Sequence, residues 1–281
     1  MKVYRLFTLL CATLCLATSC HKAVDMTLMQ KTLFENADIR QIEASDAWQV
    51  KVVYDTVDTF VEVEYSAYLE NCLNIKMEDG KLQIGFKGKV YAEPGSVFTA
   101  TVHTAKMESV EAHDASCVKF EGGHFSATSD TLFVDLTDAS VCSGLEYSGH
   151  NCRITVEEVS HFLDFQLHSV NCFVNVSDAS SCKGSFEVSS QLVGDLSDAS
   201  QLITFGGIAP YGMFKIQDAS LLNIVQTEVQ ELYVDLSGAS EATVWATNKL
   251  SGSLQEASTL YFKGQPQIDI DCSDDSHLIP F

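Results

Sequence analysis

The sequence predicts an all-β chain wound as a right-handed parallel β-helix, a solenoid whose coils take about 20 residues. Three observations predict it. First, an Asp-Ala-Ser tripeptide or a close variant returns with a fixed period. Its serines fall at Ser116, Ser140, Ser160, Ser180, Ser200, Ser220, Ser240, Ser258 and Ser276, with gaps of 24, 20, 20, 20, 20, 20, 18 and 18 residues. A period of this length marks a stacked repeat, in which each unit buries its apolar face on its neighbours. Second, the residues around each serine alternate in a shared register. Four before it stand Ala112, Leu136, Val156, Val176, Leu196, Ile216, Leu236, Leu254 and Cys272; five before it stand Glu111, Asp135, Thr155, Asn175, Asp195, Lys215, Asp235, Ser253 and Asp271. An apolar column beside a polar one is a strand with one face in and one out. Third, no helical stretch is long enough for a crossover, and a propeller blade would need about forty residues.

The elements follow in order. Lys2 and Arg5 precede the apolar run Leu6 to Ala17, which is too short to span a bilayer. It ends in Leu16-Ala17-Thr18-Ser19-Cys20, which resembles a bacterial lipobox and implies a signal peptide over 1–19 and a lipid on the Cys20 thiol. Residues 20–33 read as a lipidated tether. Residues 34–281 read as one domain, with N-terminal coils over 34–110 and regular repeat coils over 111–281. Trp48 to Tyr54 and Phe60 to Tyr65 read as strands. Glu78-Asp79-Gly80-Lys81 is a hairpin signal between Leu73–Met77 and Leu82–Phe86. Lys87 to Ser96 reads as a loop, and Val97 to Val110 leads into the repeat.

The corner carries the candidate ladder: Asp114, Ser116, Asp138, Ser140, Ser160, Asp178, Ser180, Asp198, Ser200, Asp218, Ser220, Gly238, Ser240 and Ser258. Gly238 stands once in the aspartate column, and Gly and Asp share tolerance for left-handed backbone. That favours a backbone corner. The other reading is a carboxylate ladder for a cation, whose members would repel unless paired or metal-bound. The serines share phase with the inward columns and predict a half-buried hydroxyl row that bonds corner backbone or neighbouring serines. No base recurs beside them, so none reads as a nucleophile.

Ten cysteines resolve by position. Cys11 and Cys15 leave with the signal, and Cys20 is the lipid site. Cys142 and Cys182 share a column with Phe162 between them, about 9–10 Å apart and too far to bond. Cys152 and Cys172 fall in adjacent coils, where either a disulfide or two buried thiols fits. No spacing suggests zinc or redox chemistry. The histidines read as solvated loop residues, His150 and His168 among them. No catalytic set, metal ligand set or cofactor motif is found.

Two stretches carry a family resemblance: Ile42-Glu43-Ala44-Ser45-Asp46-Ala47-Trp48-Gln49-Val50-Lys51-Val52, and Leu73 to Phe86 (LNIKMEDGKLQIGF). Followed by the repeated corner, they resemble the head GIN domain family of auto-transporter adhesins over about residues 34–265. The resemblance implies a β-helical, lipid-anchored or exported envelope protein, and its name implies adhesion; with the lipobox at Cys20 the expected address is an outer-membrane lipoprotein, periplasmic-facing or surface-exposed. It supplies no catalytic residue. This chain departs from it by placing Asp where the family pattern has Gly.

Charge narrows the function further. Seventeen basic against 38 acidic residues give −21, and −23 after loss of Lys2 and Arg5 (15 − 38). That excludes nucleic acid and disfavours anionic polymers. The expected partners are the lipid bilayer through Cys20 and a glycan or protein ligand on a ribbed face. The competing readings are a carbohydrate-active enzyme, a polysaccharide lyase or hydrolase, and an envelope scaffold with no small ligand. An acidic-sugar lyase needs basic groups, whereas the mature chain holds only Arg40 and Arg153 as arginines. A hydrolase needs a carboxylate pair outside the repeat.

Overall fold

The computed structural model describes residues 24–127 and 129–281. They form a β-solenoid of about nine turns with stacked parallel coils. Nine strands build its N-terminal end: β1 (Leu28–Leu33), β2 (Gln41–Ala44), β3 (Gln49–Tyr54), β4 (Phe60–Ser66), β5 (Leu73–Glu78), β6 (Lys81–Phe86), β7 (Phe98–Thr104), β8 (Ser109–Ala112) and β9 (Cys117–Glu121). From there three short sides make each coil, as in Val141–Ser143, Glu146–Ser148 and Asn151–Val156. Later coils run the three sides together, as in His161–Val176 and Ser181–Leu196.

Stacking follows the register read from the sequence. Leu136 pairs with Val156, Val156 with Val176, Val176 with Leu196 and Leu196 with Ile216, each in parallel register. Every member of that inward column from Ala112 to Leu254 is buried; Cys272 is exposed because no coil stacks on its far side. Apolar burial of this continuity is the main driving force for the fold. Coils differ in side-chain volume and compensate across the stack. The Phe214 ring leans over Gly194, where an added Cβ would sit 2.6 Å from it, and Phe165 fills the space over Gly184 at 2.5 Å.

Two features depart from the expectations and one open alternative is decided. Leu28–Leu33, inside the stretch read as a tether, is a strand antiparallel to β4 in full register from Leu28 with Ser66 to Leu33 with Val61. Its alternation is weak because it lies at the outer edge, with most side chains exposed. The N-terminal coils also do not stack in chain order. β2 lies between β6 and β8, and β3 lies between β7 and β9, all parallel. The chain winds the β2–β3 coil first, goes outward through β4, β5 and β6–β7, then returns to lay β8–β9 on the free side. No local pattern encodes that order. Finally, the disulfide left open at Cys152 and Cys172 is absent: the two face each other in register, and all seven cysteines among the described residues are free. Burial raises the Cys172 thiol pKa well above its ordinary value. The hairpin of β5 and β6 forms as read, with Asp79 and Gly80 at its turn.

Candidate functional site: the corner ladder and the ribbed face

At each corner two successive residues take positive φ. Asp114-Ala115, Asp138-Ala139, Glu158-Val159, Asp178-Ala179, Asp198-Ala199, Asp218-Ala219, Gly238-Ala239, Glu256-Ala257 and Asp274-Asp275 lie between +52° and +65°. The serine N–H closes the turn onto the carbonyl three residues back, at 3.1 Å for Ser116 and Ser180 and 3.3 Å for Ser200. Positive φ at both central positions is the signature of a type I′ turn, which Asp and Gly favour. The turns are also bonded to one another. The N–H of Ala179 donates to the Asp198 carbonyl at 2.8 Å, that of Ala199 to Asp218 at 2.9 Å and that of Ala219 to Gly238 at 2.8 Å. At Gly238 an added Cβ would lie 2.7 Å from the Asp218 nitrogen, so glycine here answers a close approach as well as a conformation.

The chain has a further corner that the serine search misses. Asp46 and Ala47 take φ of 59° and 61°, and Ala47 donates to the Asp114 carbonyl at 2.8 Å. Trp48 occupies the serine place, fully buried. The signal was present as Asp-Ala before an apolar strand, without the serine.

From Ser116 to Ser258 the serine row is fully buried, not half-buried: Ser116, Ser140, Ser160, Ser180, Ser200 and Ser258 are at 0 % exposure, and Ser220 and Ser240 at 1 %, while Ser276 in the last coil stays half-buried. The corner closes over them because the next coil seats on the hydroxyl. Ser140 Oγ donates to the Ala112 carbonyl and Ser200 Oγ to the Val176 carbonyl, both at 2.8 Å. Ser160 Oγ accepts from the Ser140 N–H at 3.1 Å, and Ser180 Oγ from the Ser160 N–H at 3.1 Å. Ser240 and Ser258 turn instead to the carbonyls of Ser237 and Gln255. Ser116, beside Trp48, has no hydroxyl partner.

Outside the corner stand the carboxylates of Asp114, Asp138, Asp178, Asp198 and Asp218, all exposed. Glu158 shares a hydrogen bond with Asp138, and that contact with the neighbouring charge raises its pKa. Among the described residues no group of three or more His, Cys, Asp or Glu is placed to hold a metal ion. Cys20 lies outside the described residues. His168 is not in a loop: it sits in a strand, 2.8 Å from Glu187, with its ring 5.5 Å from that of His124.

The more informative surface is the side of the coil preceding the corner. Its outward residue seven before each serine reads Phe133, Arg153, Phe173, Val193, Met213 and Tyr233, paired coil to coil in register. Phe133 is 48 % and Met213 40 % exposed. A column apolar at five of its six coils, broken by Arg153 and reaching solvent, is the kind of patch that marks an interaction surface. Polar columns flank it: Thr131, Asn151, Asn171 and Gln191 on one side, Asp135, Thr155, Asn175 and Asp195 on the other. Two shallow depressions of about 480 and 400 Å³ lie on this face and share Arg153 and Thr155. The Arg153 guanidinium sits 5.5 Å from the Phe173 ring centre. The outward column at minus five was read as wholly polar, and continuing two residues further out would have found the apolar one.

The family model described as "Putative auto-transporter adhesin, head GIN domain" matches residues 38–266. No curated protein matches the chain. Among solved structures, a putative adhesin from Parabacteroides merdae aligns with a TM-score of 0.69 at 13% identity, over 92% of this chain and 98% of that one. A putative adhesin from Parabacteroides distasonis gives 0.67 at 18% identity, over 92% and 98%. A putative lipid binding protein from the same species gives 0.67 at 10% identity, over 91% and 97%. At these identities the likeness is one of fold.

Proposed function

The chain belongs to the auto-transporter adhesin head GIN domain family, and from that premise we propose that it is a lipid-anchored envelope protein that holds a glycan or protein ligand on its ribbed face and carries no catalytic centre. The observation that carries the reading is the outward apolar column from Phe133 to Tyr233, flanked by amides, hydroxyls and carboxylates. Function resides in such a site and not in the solenoid as such. From Ser116 to Ser258 the repeated hydroxyls are sealed beneath the corner at 0–1 % exposure, where no substrate reaches them. The repeated carboxylates follow the coil period, which suits a scaffold better than an acid–base pair. The lipobox-like run ending at Cys20 supports an anchor at the outer membrane.

Arrays of glycans and of envelope and host proteins, probed with the purified chain with and without calcium, test the ligand reading. We expect signals that survive Thr243→Ala, on another side of the coil, and vanish in a Phe133→Ala, Phe173→Ala double variant. Identical patterns from both variants would remove the face from the argument. The anchor is checked separately: Cys20→Ala should release the protein from the membrane fraction, and unchanged fractionation and mass would rule the anchor out.

A further inference from the structure

The ribbed face restricts the chemistry of what it can hold. Its backbone N–H and C=O groups are consumed in coil-to-coil ladders, so a partner cannot add a strand here and must be read by side chains alone. Phe133 and Phe173 stand two coils apart in one column, about 9–10 Å, with Arg153 between them. Beside them lie Asn151 and Asn171, whose amides bond at 2.9 Å and leave the other amide groups of each free to point outward. Across the column, Thr155 offers its hydroxyl and Asn175 its amide oxygen, the Asn175 amide nitrogen already donating to Glu157 at 3.2 Å.

We propose that the ligand is a linear, uncharged glycan laid along the solenoid axis, with sugar rings on Phe133 and Phe173 and hydroxyls on the flanking amides and hydroxyls. The proposal rests on the binding reading of this face and narrows it to one ligand chemistry. A sugar ring presents C–H groups on its faces and hydroxyls around its rim, which is the complement of an aromatic column between polar ones. The two depressions abut at Arg153 and Thr155 and together span several coils, which suits an elongated chain more than a small molecule enclosed on all sides. Charge argues against an anionic glycan, which would meet Asp135, Asp195 and Asp235; a basic peptide would be drawn to those carboxylates but would set its own charge against Arg153 between the two rings, which makes polylysine the competitor to measure.

Titration calorimetry of the full chain with linear β-1,4-glucan, β-1,4-mannan and α-1,4-glucan oligosaccharides of increasing length tests it, at low and high salt, beside heparin and polylysine. We expect one neutral series to bind, to gain affinity with length and to ignore salt. Phe173→Ala and Phe133→Ala should each lose tenfold or more, Phe173→Tyr should keep binding, and the circular dichroism of all variants should match the parent. No binding to any neutral series, with the Phe133- and Phe173-dependent array signal intact on proteins or charged glycans, overturns this inference and leaves the binding face standing. No face-dependent signal on any array overturns both.

Discussion

Val159 is where the corner meets its least suitable residue. It sits at φ +64° with a β-branched side chain that is 54 % exposed, so it carries left-handed strain without burying much in return. An L-residue in that region costs about 1–2 kcal/mol, part of which a glycine gives back as unfolded-chain entropy. Val159→Gly should therefore stabilise the protein by about 0.5–1 kcal/mol in urea unfolding; a loss of stability would mean that the Val159 side chain packs more than its exposure indicates. Its neighbour Glu158 gives a pH test. The shared hydrogen bond with Asp138 raises its folded pKa above the unfolded value. The native state then holds the proton more tightly, so this contribution is complete below the ordinary glutamate pKa and is lost as pH rises through the raised value. Urea midpoints followed from neutral pH down to about pH 4 should show a smaller acid-side gain in Glu158→Gln than in the parent. Matching pH slopes in the two proteins would contradict it.

Single strands show how much the chain discloses. Leu196 is fully buried and Asp195, one residue earlier, faces out. Leu196→Asp should cost about 3 kcal/mol or more by burying an unpaired charge, whereas Asp195→Asn should stay within about 0.5 kcal/mol. Equal costs would put the register one residue out, since such a slip exchanges the faces. This alternation, the hairpin of β5 and β6 and the stack of Cys142, Phe162 and Cys182 were all legible, because each is set by neighbours in sequence or by the period. β1 was not, since an edge strand with both faces largely wet needs no apolar alternation. The Phe133 to Tyr233 column was written in the chain as plainly as the inward ones. It escaped because Arg153 interrupts it and Ser251 and Asp269 follow it in the next coils, and because apolar residues in a repeat are read first as core. Which of the equivalent outward columns would meet a ligand is a matter of surface shape, which period alone does not carry.

For the whole molecule the coils are not interchangeable, although their corners share one conformation. Gly184 and Gly194 leave the room that Phe165 and Phe214 occupy. Excising residues 181–200 joins equivalent corner positions but sets Val174 against Phe214, a small-to-large conflict of the kind that costs about 1–3 kcal/mol in a packed core. Excising 221–240 sets Phe214 against Gly252 and avoids that conflict. The second deletion should therefore unfold cooperatively with a midpoint closer to the parent than the first, as read by urea denaturation followed with circular dichroism. A more stable 181–200 deletion would show that the stack repacks freely around its aromatic rings.

The order of the N-terminal coils also has a consequence in time. As the chain leaves the ribosome, the β2–β3 coil emerges ahead of both its eventual neighbours, with two bare edges and no template on either side. β6 and β7 cover one edge only after some thirty to fifty further residues, and β8 and β9 cover the other later still. Growth of the stack is thus two-sided at its origin and one-sided ever after. Translation pauses or early stops between β3 and β9 would strand a coil that pairs with whatever strand is nearest, while interruptions beyond Ser140 would only shorten a column already closed at its base.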